Sequence, residues 1–199
     1  MTLARRLLTL IVAAISTGTV VMGDPQWSPP SQHPIGSKHT IIRSHRTFEE
    51  TRATLEASIP PLNTTYSTLL AAGDIAGALA ALEALPPLNN FVASQRDFGR
   101  LLQVVGESGK AVQYEIGNPL TATRLNWIEI RVALYVPIRV LLRVDSSGEV
   151  AFEYDQLEGF TSRFRNREVN DIAGQLDRNL TRVLLEAAGW LKMGQLGEL

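Results

Sequence analysis

Residues 111–155, AVQYEIGNPLTATRLNWIEIRVALYVPIRVLLRVDSSGEVAFEYD, decide the fold, because a strand, a capped turn, a short helix and a hairpin can all be read from them. Ala111 to Ile116 reads as a strand. Asn118-Pro119 comes next. Proline fixes its own φ near the helical value and holds the preceding residue extended, so Asn118 becomes the natural N-cap of a helix over Leu120 to Trp127. Val132 to Val136 alternates and predicts a strand. Pro137 has no N–H to give a ladder, so it marks an edge or a bulge, after which Val140, Leu142 and Val144 resume the alternation. Asp145-Ser146-Ser147-Gly148 supplies a hairpin turn, and Val150, Phe152 and Tyr154 return along one face.

Downstream, Val169, Ile172, Leu176, Leu180, Val183, Leu184 and Ala187 line one side of a helix that ends at Gly189. Neither that stripe nor the apolar side of the sheet is stable alone. The expected class is therefore α+β: an antiparallel sheet covered on one face by helices, including a long C-terminal helix. Upstream, His39 to Ser44 reads as a strand, and Thr47-Phe48-Glu49-Glu50 is a capping box that opens a helix with Phe48, Leu55 and Ile59 on one face. Pro60-Pro61 ends it. A second helical stretch, Tyr66 to Leu85, is broken at Gly73-Asp74, where Asp74 caps a fresh start whose Ile75, Leu79 and Leu82 share a face. Pro60 to Asn63 and Pro86 to Asn89 both read Pro-Pro-Leu-Asn, a duplicated turn with too few copies for a solenoid. Residues 66–85 read as a helical insertion. Asp97 caps a short helix, Phe98 to Val105, which Gly106 ends in a left-handed conformation.

A chain of 199 residues holds one domain with a real core. Its 45% hydrophobic and 20% charged residues are globular in proportion. Nineteen basic against twenty acidic side chains leave a net charge of −1, so no global field draws nucleic acid or anionic lipid. The absence of cysteine excludes disulfides, thiolate nucleophiles and Cys-based metal sites. Arg5 and Arg6, the apolar run Leu7 to Ile15 and the small polar residues Ser16 to Thr19 have the layout of a signal peptide over residues 1–23. The run to Met22 is shorter than the roughly 20 residues that span a bilayer, so no stable membrane span is expected. An exported protein is the expectation, and a cytoplasmic one with a docked N-terminal helix is the alternative. Residues 24–38, DPQWSPPSQHPIGSK, form a Pro-rich linker. A single domain follows over residues 39–189, with a tail over 190–199.

With strand, Asn-Pro, helix, Pro-split strand, hairpin and closing helix in place, the chain resembles the bacterial and fungal domain-of-unknown-function family 302 (DUF302). The resemblance lies in Arg96-Asp97-Phe98-Gly99-Arg100-Leu101-Leu102, in Tyr114-Glu115-Ile116-Gly117-Asn118-Pro119-Leu120 with Ala122, and in Ala133 to Val140 (ALYVPIRV). It continues in Phe152-Glu153-Tyr154-Asp155 and in Leu176-Asp177 of the closing helix, and spans about Asp97 to Ala188. It implies a compact α+β domain with helices on one face of an antiparallel sheet, frequent self-association and no established chemistry. Where the family pattern has a Pro after Tyr154-Asp155, this chain has Gln156-Leu157.

No cofactor or metal is implied. His33, His39 and His45 lack ligand spacing, and no nucleophile elbow or phosphate-binding loop occurs. What remains is a polar set at strand ends: Asn118, Tyr135, Arg139, Tyr154 and Asp155. As ligand-binding residues, Arg139 clamps a carboxylate while Asp155 and Tyr154 form an acid/base pair. A structural account fits them equally: Asn118 caps a helix, Arg139 and Asp155 pair across the hairpin, and the tyrosines pack with hydroxyls outward. Arg163, Arg165 and Arg167 lie before the final helix, balanced by Glu158, Glu168 and Asp171, and Trp27, Trp127 and Trp190 are packing or docking residues. Three functions are compatible with this set. The first is binding of a small, mostly apolar ligand in a cavity between sheet and helix. The second is a metal-independent isomerase, cyclase or hydrolase acting on a small hydrophobic metabolite through Asp155, Tyr154 and Arg139. The third is a homodimer joined at the sheet edge near Pro137.

Overall fold

Alternating apolar residues build one sheet, and a single long amphipathic helix closes over it. The computed structural model describes residues 36–92 and 96–192. The expected signal segment, linker residues 24–35 and tail residues 193–199 lie outside the described residues. The elements run β1 (His39–Arg43), α1 (Phe48–Ser58), α2 (Thr65–Ala71), α3 (Ile75–Glu83), β2 (Asn89–Asn90), β3 (Arg96–Asp97), α4 (Phe98–Leu101) and β4 (Ala111–Gly117). They continue with α5 (Pro119–Ile128), β5 (Ile138–Val144), β6 (Val150–Asp155), α6 (Leu157–Thr161) and α7 (Arg167–Ala187). The sheet has the order β1-β6-β5-β4-β2, with β3 pairing the opposite end of β4, and every ladder is antiparallel.

The register fixes the two faces. Val112, Leu142, Phe152 and Ile42 lie side by side across four strands, as do Tyr114, Val140, Tyr154 and Thr40. All of these except Thr40 are buried, and they form the inner face. Helix α7 lays Val169, Ala173, Leu176, Leu180 and Leu184 against it, and α1 adds Phe48 and Leu55. Each fully buried Leu or Phe stabilises by about 1.5–3 kcal/mol relative to exposure, which is why the apolar stripe of α7 dictates its position. Among the described residues no helix is long and apolar enough to cross a membrane.

The caps read from the sequence are in place. Thr47 and Glu50 form the reciprocal capping box of α1. The side chains of Asp74, Asp97 and Asn118 accept from the third residue beyond them, Gly77 N at 2.8 Å, Arg100 N at 2.8 Å and Thr121 N at 3.0 Å. The two Pro-Pro-Leu-Asn turns lie side by side, with Asn90 N donating to Pro60 O at 2.9 Å and Leu62 N to Asn90 O at 2.8 Å. At the far end of α7, Ala188 O accepts from His45 N at 2.9 Å and Trp190 Nε1 donates to Arg43 O at 2.6 Å, so Trp190 docks the helix end on β1.

Several expectations are corrected. Val132 to Val136 is not a strand: Ile130–Leu134 is a tight 3₁₀ turn, and the strand begins only at Ile138, after a cis Val136–Pro137 bond. Glu129 sets that turn by accepting from Arg131 N at 3.1 Å and holding the Arg131 guanidinium at 2.7 and 2.6 Å. Val132 is buried while Leu134 is 73% exposed, so the alternation in sequence does not mark a sheet face. In α3 the apolar face points outward: Ile75 and Leu79 are exposed and Ala78 is the buried residue. The short helix after Asp97 is α-helical only to Leu101 and 3₁₀ from Leu102 to Val105. Trp127 does not pack; it is 89% exposed.

Candidate functional site

On the inner side, Tyr154 is buried and its hydroxyl lies 2.6 Å from Thr181 Oγ1 of α7. Burial raises its pKa, which opposes any role as an anion. Asp155 is the next residue along an extended strand, so its side chain points to the other face. The two therefore cannot act as an acid/base pair on one substrate. Asn118 is spent on structure: its Oδ1 caps α5 and its Nδ2 donates to Pro86 O at 3.0 Å.

Among the described residues the outer face carries no helix layer, and it is lined with charge. Glu115 lies opposite Arg139 on the neighbouring strand, and Asp155 lies opposite His39. The expected Arg139–Asp155 ion pair is not made. Asp155 Oδ1 instead meets His39 Nδ1 at 3.0 Å, and Glu115 pairs with Arg96 at 2.9 Å. Arg43 pairs with Glu149 at 2.7 Å, and Arg143 Nε donates to Glu153 at 2.7 Å. Among the described residues Arg139 is the one outer-face arginine with no hydrogen bond or ion pair.

Arg139 opens into a cleft of about 410 Å³. Its walls include Tyr135, Pro137, Leu134 and Phe160, with Glu115 and Asp155 at the polar side. Tyr135 and Phe160 stack with ring centroids 4.8 Å apart and planes 7° from parallel. The Arg163 guanidinium sits 5.2 Å from the Tyr135 centroid and 4.7 Å from that of Phe164, so its partners are aromatic faces. Glu158 pairs with Lys38 at 2.9 Å, and Arg167 approaches Asp171 at 3.7 Å. Thus Tyr135, Arg139 and Asp155 share one cleft, while Asn118 and Tyr154 face away from it. No cluster of three or more metal-ligating side chains occurs among the described residues.

Phe160 and the turn that presents it are the residues sequence reasoning missed. Helix α6 begins where Asp177 of α7 accepts from Leu157 N at 2.9 Å and Glu158 N at 2.8 Å. Asp177 is 5% exposed. Burial raises its pKa, and the two backbone N–H bonds pull the other way. A cap donated from twenty residues downstream has no local signature; the only hint was an acidic residue in the middle of the apolar stripe of α7.

An open antiparallel sheet with helices on one face, and a charged, aromatic-walled cleft on the other, defines an α+β domain of a type without assigned chemistry. The sequence profile described as "Domain of unknown function DUF302" matches residues 78–187, and the chain belongs to that family. The chain is also similar in fold to the crystal structure of an uncharacterized conserved DUF302 protein from Bacillus stearothermophilus, with 17% identity and a TM-score of 0.54. That similarity covers 75% of this chain and 97% of the other. No curated protein matches.

Proposed function

We propose that this domain binds a small molecule with an apolar or aromatic body and one carboxylate in the outer cleft. The supporting observation is Arg139: a guanidinium without a partner among the described residues, set beside the Tyr135–Phe160 stack. Arginine presents two parallel N–H donors to a carboxylate, and the stacked rings with Leu134 and Pro137 offer an apolar wall for the body. Glu115 and Asp155, already held by Arg96 and His39, flank the guanidinium and repel a second negative charge, so a monoanion is preferred. Tyr154 and Asn118 support the site from behind, one locking β6 to α7 and the other starting α5. With residues 1–23 acting as an export signal, the reading is an exported binding protein.

Native mass spectrometry of protein purified from its own host tests this. The expected spectrum shows a chain lacking residues 1–23 with a bound acid that Arg139→Met does not retain. A ligand-free chain that also shows no saturable response to phenylacetate would overturn the binding assignment.

A further inference from the structure

Val136 and Pro137 wall the cleft on one side and a second, smaller cavity on the other. That inner cavity has a volume of about 150 Å³ and lies between the end of β4 (Ile116, Gly117), α5 (Ala122, Asn126) and Leu176 of α7. None of its lining residues is ionisable. Asn126 lines it, and Asn126 Oδ1 is buried with no hydrogen-bond partner among the described residues. The other amide at the cavity, Asn118, has both ends engaged, by Thr121 N at 3.0 Å and Pro86 O at 3.0 Å.

We propose that this inner cavity is a separate binding site for a compact neutral molecule that carries a hydroxyl or N–H donor on an apolar body, with Asn126 Oδ1 as the acceptor. Size, charge and polarity each narrow the class. A cavity of about 150 Å³ takes a body of roughly benzene size. A charged ligand would lose its hydration without meeting a counter-charge, which excludes the acids assigned to the outer cleft. A purely apolar ligand would leave the amide oxygen without a donor, and buried acceptors are costly to leave unmade. Phenols and small cyclic alcohols satisfy all three conditions.

The test is an NMR titration of the whole domain with phenol and with toluene, which share shape and differ in the donor. Phenol is expected to give saturable shifts at the amides of Gly117, Ala122 and Leu176, with toluene weaker by about tenfold or more. In Asn126→Leu the order reverses, because the unmet acceptor is gone and toluene loses its penalty. Ala122→Leu fills the cavity from the same helix face, one turn before Asn126, and abolishes both responses. Arg139→Met leaves phenol binding unchanged, so failure of the carboxylate assignment in the cleft and failure here are told apart. Thermal melts of each variant establish folding, and the phenol-to-toluene ratio on the unaltered protein stands even where a variant fails to fold. Equal binding of phenol and toluene would overturn the proposal. So would the absence of binding together with a crystal structure showing only an ordered water on Asn126 Oδ1.

Discussion

The two faces of the sheet are made by the same strands in the same register, yet they hold different chemistry. The inner face is apolar, closed by α7 and α1, and its few polar groups are tied: Tyr154 to Thr181, and Tyr114 to Glu56 at 3.0 Å. The outer face is a lattice of surface ion pairs with one arginine left over. Burial of apolar area scales with stability, whereas exposed ion pairs contribute about 0–1 kcal/mol each. The inner face therefore carries the fold, and the outer face is free to carry recognition.

Substitutions sharpen that contrast, and the largest effects belong to the inner face. Phe152→Ala, at the centre of the sheet with no exposed surface, is expected to cost about 3–5 kcal/mol in urea unfolding. A loss below about 1 kcal/mol would mean the inner layer is not close-packed. Asp177→Ala strips the acceptor from two backbone N–H groups at the start of α6 and is expected to cost about 2–3 kcal/mol, with Asp177→Asn retaining part of the loss. Because α6 carries Phe160, Asp177→Ala is also expected to loosen its stack on Tyr135, which links the two faces. Gly99→Ala places a methyl 2.7 Å from Ala111 N and against Gly109 O, both backbone atoms, and is expected to cost about 1–3 kcal/mol.

Acid titration probes the periphery. The hydroxyl and backbone N–H of Ser147 and the N–H of Glu149 hold Asp145 down to about 2, and Arg131 holds Glu129 down to about 2. Both values lie below the ordinary carboxylate range, so these groups stabilise the fold above that range and lose the contribution as the pH falls from about 4 towards 2. Asp177, raised by burial, has the opposite sign and acts at higher pH, above the ordinary carboxylate value, before that loss begins. Thermal melts should show the midpoint falling across that window, with a shallower fall in Asp145→Asn, which lacks one of the titrating groups; an unchanged midpoint in the unaltered protein would contradict the shifts. Smallest of all, Arg43→Gln on the outer face, which removes the exposed pair with Glu149, should change stability by less than about 1 kcal/mol.

How much of this was legible in the sequence follows from the range of the interactions. Caps at Thr47, Asp74, Asp97 and Asn118 are local, with donor and acceptor within three residues, and all were readable. The stripe of α7 and the hairpin at Asp145 are periodic or turn-encoded and were readable as well. Val132 to Val136 was misread because an apolar alternation at a 3₁₀ turn looks like a strand until Glu129 and Arg131 are seen to close it. At the site, the residue types were legible and their sides were not. Tyr154 and Asp155 are adjacent in sequence and therefore on opposite faces, and the preference of Asp155 for His39 over Arg139 depends on β1 pairing with β6, more than one hundred residues away. Phe160 and Asn126 became visible only once α6, α5 and Pro137 were placed around them.

The division of labour between the faces meets its most direct test in a calorimetric titration of phenylacetate into the unaltered protein and into Arg139→Met. Saturable binding that weakens by about tenfold or more in the variant, with its unfolding midpoint unchanged, is the predicted result. Equal affinity in both proteins, or a loss that appears only together with unfolding, would contradict it.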